Sequence, residues 1–204
     1  MASRSYQGFR LTPIWMIIGL NLIMLIATAI APGMIFWLGL QPASVLLQPW
    51  TMVTSLFVHA GLWHIIANMM TFYFFGSYLS RLVGEAKLLI IYFGGGILGS
   101  IFFILLAFLG GVVSNRFLGS PFSTAVGASG AVFALGGALA VMRPKLRVFI
   151  FPIPAPLPLW VAVIGGFIVV SFFPNVAWQA HLGGLAFGLI AGYFLKQRVS
   201  VYGY

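Results

Sequence analysis

Residues 178–195 read WQAHLGGLAFGLIAGYFL, a run without a single acid or base and with one Gln and one His near its start. Its length approaches the ~20 predominantly apolar residues that a helix needs to cross a bilayer. Similar runs lie at about 13–31, 62–79, 86–109, 125–142 and 159–173, separated by Pro, Gly or basic residues. The 204-residue chain is 62% hydrophobic and 5% charged. Soluble domains carry roughly a quarter charged residues, and a chain this short cannot hide so much apolar surface in one aqueous core. The sequence therefore predicts an all-α, polytopic membrane protein in a lipid bilayer, with six transmembrane helices forming a single domain over 1–204.

Span one follows Thr12 and begins at Pro13, a cap and first-turn pair that favours helix initiation. Arg4 and Arg10 precede it and Ala29-Ile30-Ala31 looks like a cleavage site, but the apolar run is too long for a signal peptide, so an uncleaved span is expected.

Ten Lys and Arg stand against one acid, Glu85, and there is no Asp or Cys. Intramembrane aspartyl proteases, H-E-x-x-H zinc proteases and carboxylate-driven proton transporters cannot be built from this inventory. Thiolate nucleophiles, disulfides and Cys-based metal sites are also excluded. The net charge of +9 does not indicate a nucleic-acid partner, because the bases are scattered singly beside apolar runs. Threading six spans in alternation puts Arg4, Arg10, Arg81, Lys87, Arg143, Lys145, Arg147, Lys196 and Arg198 on one side and Arg116 alone on the other. The positive-inside rule then predicts cytoplasmic termini and a cell-membrane location. The outer loop 32–61, with Phe36, Trp37, Trp50 and Phe57, is expected to lie along the interface, and the loop carrying Pro152, Pro154, Pro156 and Pro158 to form a stiff, non-helical connector.

Polar side chains inside an apolar bundle are costly and often functional. His64 and Asn68 are four residues apart and share one face of span two, with His59 at its entrance. Span four opens Gly127-Ala128-Ser129-Gly130, which should place Ser129 about one turn below the outer surface in a helical context. That is not the strand-to-turn elbow of soluble hydrolases, and alone it also fits a small packing residue bonded to its own helix. Convergence strengthens the reading: spans two, four and six run the same way, so His64, Asn68, Ser129 and His181 share a depth. Gly184, Gly188 and Gly192 form a small-residue stripe on span six, and Gly130, Ala134 and Gly137 or Ala138 offer span four a matching surface. Close packing of the two would bring Ser129 to His181.

With these residues the chain resembles the rhomboid intramembrane serine proteases, in their prokaryotic-type six-helix form, over all six spans. His59, His64 and Asn68 meet the family's helix-two pattern, Gly127, Ser129 and Gly130 its Gly-x-Ser-Gly, and Ala180, His181, Gly184 and Gly188 its helix-six motif. The resemblance implies a serine endopeptidase with Ser129 as nucleophile and His181 as general base. It assigns oxyanion stabilisation to His64, Asn68 and the Ser129 N–H, with Gly127, Gly130, Phe133, Gly184 and Gly188 in support. No cofactor or metal is implied. Lacking a nearby carboxylate, the pair would be a Ser-His dyad with His181 oriented by packing. Two positions depart from the family: Phe133 replaces a Tyr that stacks on the catalytic His, and Trp50-Thr51 replaces a Trp-Arg pair. The implied partners are single-pass transmembrane substrates whose spans unwind near the outer face, with residues 173–176 as a moving cap. Three rival readings are a non-proteolytic client-binding relative, a channel lined by His64, Asn68 and Ser129, and a three-histidine zinc site, although on one helix His59 and His64 would lie about 140° apart.

Overall fold

The computed structural model describes residues 12–150 and 153–201; Arg4, Arg10 and Pro152 of the topology reading lie outside the described residues. Eight helices follow one another: α1 (Pro13–Ile30), α2 (Met34–Leu38), α3 (Thr51–Thr54), α4 (Leu62–Val83), α5 (Glu85–Val112), α6 (Ser129–Met142), α7 (Leu159–Ser171) and α8 (Trp178–Val201). The fold is an all-α membrane bundle, and its six longer helices occupy the six apolar runs.

Local rules account for most boundaries. Pro13 fixes the first turn of α1 after an extended Thr12, whose side chain makes no cap hydrogen bond, so the expected cap is positional only. In α1 the buried Asn21 turns its amide back to the Ile17 carbonyl at 2.8 Å, which satisfies a donor that lipid could not. Gly84, at φ 86°, makes the corner between α4 and α5, and Glu85 then opens α5, where the positive helix end favours it.

α6 is the hub. All its residues except Ser129, Phe133 and Val141 are buried, and its most extensive partner is α8, followed by α5. Glycines set the closeness of these seams. A Cβ on Gly184 would collide with the Gly130 carbonyl, one on Gly188 with the Ala134 carbonyl, and one on Gly192 would stand 2.6 Å from the Ala138 carbonyl. On the other side of α8, a Cβ on Gly183 would stand 2.6 Å from the Leu98 carbonyl of α5. The small-residue stripe predicted on span six is thus the surface on which α6 lies. Gly137 also contributes, facing the Leu185 carbonyl.

By length and apolarity, α1 and α5 qualify as membrane spans, and a third arises if residues Thr51–Phe57 and α4, which meet at 95°, are counted as one broken span. α6 and α7 are apolar but have 14 and 13 residues, ~20 Å at ~1.5 Å per residue. In α8, Gln179, His181 and the glycines dilute the hydropathy.

Span four differs from expectation at its start. The helix begins at Ser129, not at residue 125, because residues 125–128 are claimed by other contacts. Leu40 and Ala125 exchange backbone hydrogen bonds of 2.9 and 2.8 Å, the Gly127 N–H donates to the Ser55 carbonyl at 2.9 Å, and Gly127 sits at φ 123°. Non-helical backbone at membrane depth is tolerated where protein satisfies it in this way. The loop 32–61 folds into short helical turns tied down by the Trp50 indole, which donates to the Trp37 carbonyl at 2.8 Å. In its described residues the proline-rich connector is non-helical, as expected, and Arg147–Val148 pairs antiparallel with Leu157–Pro158.

Candidate active site

Ser129 is the first residue of α6, so its N–H has no intrahelical acceptor. Its hydroxyl lies 2.7 Å from Nε2 of His181 in the first turn of α8. The glycine seam makes this approach possible, since Gly130 and Gly184 bring the two backbones together next to the pair. His181 is 4% exposed, and its Nδ1 has no hydrogen-bond partner. Phe133, one turn below Ser129, lies against the imidazole with ring centroids 4.8 Å apart and planes tilted by 41°. The ring retained at this position therefore packs on the histidine without needing a hydroxyl. The sole acid, Glu85, stands at the far end of α4, so among the described residues no carboxylate reaches His181.

Across from Ser129 stands His64. A Cβ at Gly127 would fall 2.8 Å from His64 Nε2 and 3.8 Å from Ser129 Oγ, which places the imidazole beside the serine and leaves room for glycine only. The Ala60 N–H donates to His64 Nδ1 at 3.4 Å. A ring nitrogen that accepts a hydrogen bond leaves the proton on the other one, so Nε2 is the donor that faces the site. Asn68, buried one turn further on, gives one amide hydrogen to the His64 carbonyl at 2.9 Å and keeps its second.

His59 precedes α4 rather than lying on it, because the helix starts at Leu62. The 140° separation expected for a shared helix therefore does not apply, and the His59 and His64 rings meet edge to face with centroids 4.9 Å apart. Burial, and then the neighbouring His64, pull the His59 pKa down from the usual imidazole value to about 4. Among the described residues no three His or acidic side chains come together as a metal site.

Sequence reasoning missed two anchors. The Gln179 amide donates to the Leu118 carbonyl at 2.9 Å, and the Trp178 indole donates to the Phe117 carbonyl at 3.0 Å while stacking on the Phe117 ring. Together they pin the first two residues of α8, three and two positions before His181, to the α5–α6 connection. A lone Gln inside an apolar run was the available signal. A cavity of about 30 Å³ beside Ser129, bordered by Ser55, Leu56, Gly96 and Ser100, was not visible in the sequence. It has the volume of roughly one water. The segment 173–176 ahead of α8 is mostly exposed, with Asn175 in the left-handed region at φ 60°.

Comparison with known proteins bears on the family of the chain. The chain is 34% identical over 151 residues to RHOMBOID-like protein 12, mitochondrial, of Arabidopsis thaliana, a match that covers 69% of this chain and 45% of that protein. It is 27% identical over 164 residues to Rhomboid protein 1, mitochondrial, of Saccharomyces cerevisiae, covering 74% and 43%. It is 31% identical over 148 residues to Rhomboid protease GlpG of Haemophilus influenzae, covering 72% and 69%. The matches to the two mitochondrial relatives thus span less than half of their lengths. The Rhomboid domain profile matches residues 46–198, from the loop ahead of α4 through most of α8 and without α1. By that match, the chain belongs to the rhomboid family.

Proposed function

We propose that the chain is an intramembrane serine endopeptidase that cuts transmembrane segments of single-pass proteins near the outer face of the membrane, through Ser129 and His181. The observation that carries this reading is the 2.7 Å approach of Ser129 Oγ to His181 Nε2. In the reaction, His181 Nε2 takes the hydroxyl proton as Oγ attacks the scissile carbonyl. It then hands that proton to the leaving amine as the C–N bond breaks. Water, activated by the same imidazole, hydrolyses the acyl-serine and restores the hydroxyl. The negative oxygen formed at each addition is held by the Ser129 N–H, the free Asn68 amide hydrogen and His64 Nε2–H. Removing one such donor costs ~3 to 4 kcal/mol in measured cases. Packing against Phe133 holds the His181 ring where other serine hydrolases use a carboxylate.

The protein is a six-crossing, prokaryotic-type member forming a single domain over 1–204. It sits in the cell membrane with both termini cytoplasmic, as the nine basic residues on one side favour. The short α6 and α7 complete the crossings with the non-helical backbone that flanks them. A cavity of about 30 Å³ beside the serine suits a small side chain at the cut site. Residues 173–176 form the cap, and tethering a Phe173→Cys variant to a cysteine on the outer turn of α4 is expected to abolish cleavage. Full cleavage by the tethered protein would remove the cap from the reading.

The deciding experiment is cleavage of a tagged single-pass substrate by the purified protein in liposomes. Ser129→Ala and His181→Ala should each abolish the cut, with chelators having no effect. If the native protein cuts nothing across several substrates yet binds them as Ser129→Ala does, the client-binding reading replaces this one.

A further inference from the structure

At the end of the bundle opposite Ser129, α1, α4 and the start of α5 line an open cleft of about 240 Å³. Its walls include Thr12 and Trp15 at the start of α1, Tyr73, Ser77, Ser80 and Arg81 along α4, and Glu85 at the start of α5. Hydroxyls, one cation and the only acid of the chain thus converge on one space, which is the pattern of a site built for a polar ligand. Among the described residues Arg81 and Glu85 do not ion-pair with each other, although the α4–α5 corner sets them four residues apart. Trp15 and Tyr73, both exposed, place their ring centroids 5.5 Å apart.

Position narrows the ligand class. From His64 to Arg81 is 17 residues along α4, ~25 Å of helix rise, against ~30 Å for a hydrocarbon core. The cleft therefore sits at the membrane–water interface away from Ser129, where Trp and Tyr concentrate and lipid headgroups lie. Exposed Met70 and Phe74 continue the α4 surface toward the bilayer interior, where acyl chains would run. A phosphate suits Arg81 and the hydroxyls. Glu85 would repel a purely anionic headgroup, and together with the aromatic rings it suits an ammonium group.

We propose that this cleft binds the headgroup of a zwitterionic, amine-bearing phospholipid. The phosphate lies on Arg81 with Ser77, Ser80 and Thr12, and the ammonium on Glu85, Trp15 and Tyr73. The proposal does not depend on the proteolytic reading, since none of these groups is near Ser129.

Native mass spectrometry of the full chain in a phosphate-free detergent tests it, with phosphatidylethanolamine, phosphatidylglycerol, glycerophosphoethanolamine and inorganic phosphate as probes. One phosphatidylethanolamine should be retained at least about tenfold more tightly than phosphatidylglycerol. Arg81→Ala should weaken both lipids by about tenfold or more, the loss of one charge-assisted hydrogen bond, whereas Arg81→Lys should keep most of the retention. Glu85→Gln should weaken phosphatidylethanolamine selectively. Because Arg81→Ala could also disturb the α4–α5 corner, Ser77→Ala, with an unchanged melting curve, should lower retention in the same direction. Equal retention of the two lipids, or a preference that survives Glu85→Gln, overturns the proposal. Retention of inorganic phosphate or glycerophosphoethanolamine as tight as that of the lipid also overturns it, in favour of a site for a free solute.

Discussion

The seam between α6 and α8 and the helix α7 are made of the same letters. Both are apolar, both carry glycines, and neither has a charged residue at its centre. Yet a Cβ at Gly184 or Gly188 would strike the backbone of α6, whereas a Cβ at Gly165 or Gly166 of α7 would meet nothing within 4 Å. Glycine permits close approach without causing it. In the seam, the i, i+4, i+8 spacing aligns three glycines on one face against a partner that also presents small residues. In α7 the two glycines are adjacent, so they point to different faces and form no stripe. The difference also separates a closely packed part of the molecule, where Ser129 and His181 meet, from a helix whose outward side chains, such as Trp160 and Ile168, face away from protein.

The largest expected effect tests the seam. Gly184→Val should cost ~3 kcal/mol or more, the upper end of overpacking penalties, and should lower the melting temperature sharply in detergent. A native melting curve would break the comparison at its root. Next comes the packing behind the histidine. Phe133→Ala should leave the bundle folded but lower cleavage by about tenfold or more, roughly the ~1 kcal/mol scale of an aromatic contact plus lost orientation, while Phe133→Tyr should stay near the native rate. Equal rates for all three proteins would mean that packing does not orient His181.

Acidification should distinguish the regions differently. His59 has a folded pKa of about 4 against 6.5 for a free imidazole, so between these values the unfolded chain binds more protons than the folded one. Its contribution to stability is complete above about pH 6.5 and is lost as the pH falls toward 4. After division by the intrinsic rate at each pH, hydrogen-exchange protection should therefore fall around residues 55–64 on acidification, while that of α7, which has no titratable side chain, stays the same. Loss of protection in α7 first would contradict the assignment. The smallest effect sharpens the contrast from the other side: Gly165→Ala should be neutral or stabilise by ~0.5 to 1 kcal/mol through helix propensity and chain entropy, and destabilisation would reveal a contact that is absent here.

Hydropathy made the six helices legible, because each burial decision in lipid is written in long runs of the chain. The site was legible to the extent that its residues share a helix face or a depth, as His64, Asn68 and His181 do. The start of α6 was not. Placing it at Ser129 requires knowing that Ala125 pairs with Leu40, a contact between segments 85 positions apart, and apolar letters alone continue the helix upstream. Positive φ at Gly127 could be suspected from glycine, but it could not be told from the many other glycines of the chain. The anchors at Trp178 and Gln179 depend on carbonyls of the α5–α6 connection, and sequence periodicity does not record where a carbonyl points.

The shortness of α7 has a further consequence. Its 13 residues rise ~20 Å, about 10 Å less than a typical hydrocarbon core. In a six-crossing bundle this is hydrophobic mismatch, and lipid beside α7 must thin or tilt to meet it. A client helix of ordinary length that drifts into the thinned annulus carries more apolar length than the local bilayer can cover. It must lean, or push one end into water, where its hydrogen bonds can fray. On the proposed function, the bilayer, deformed by an undersized helix, would help deliver substrate in the extended form that Ser129 would need.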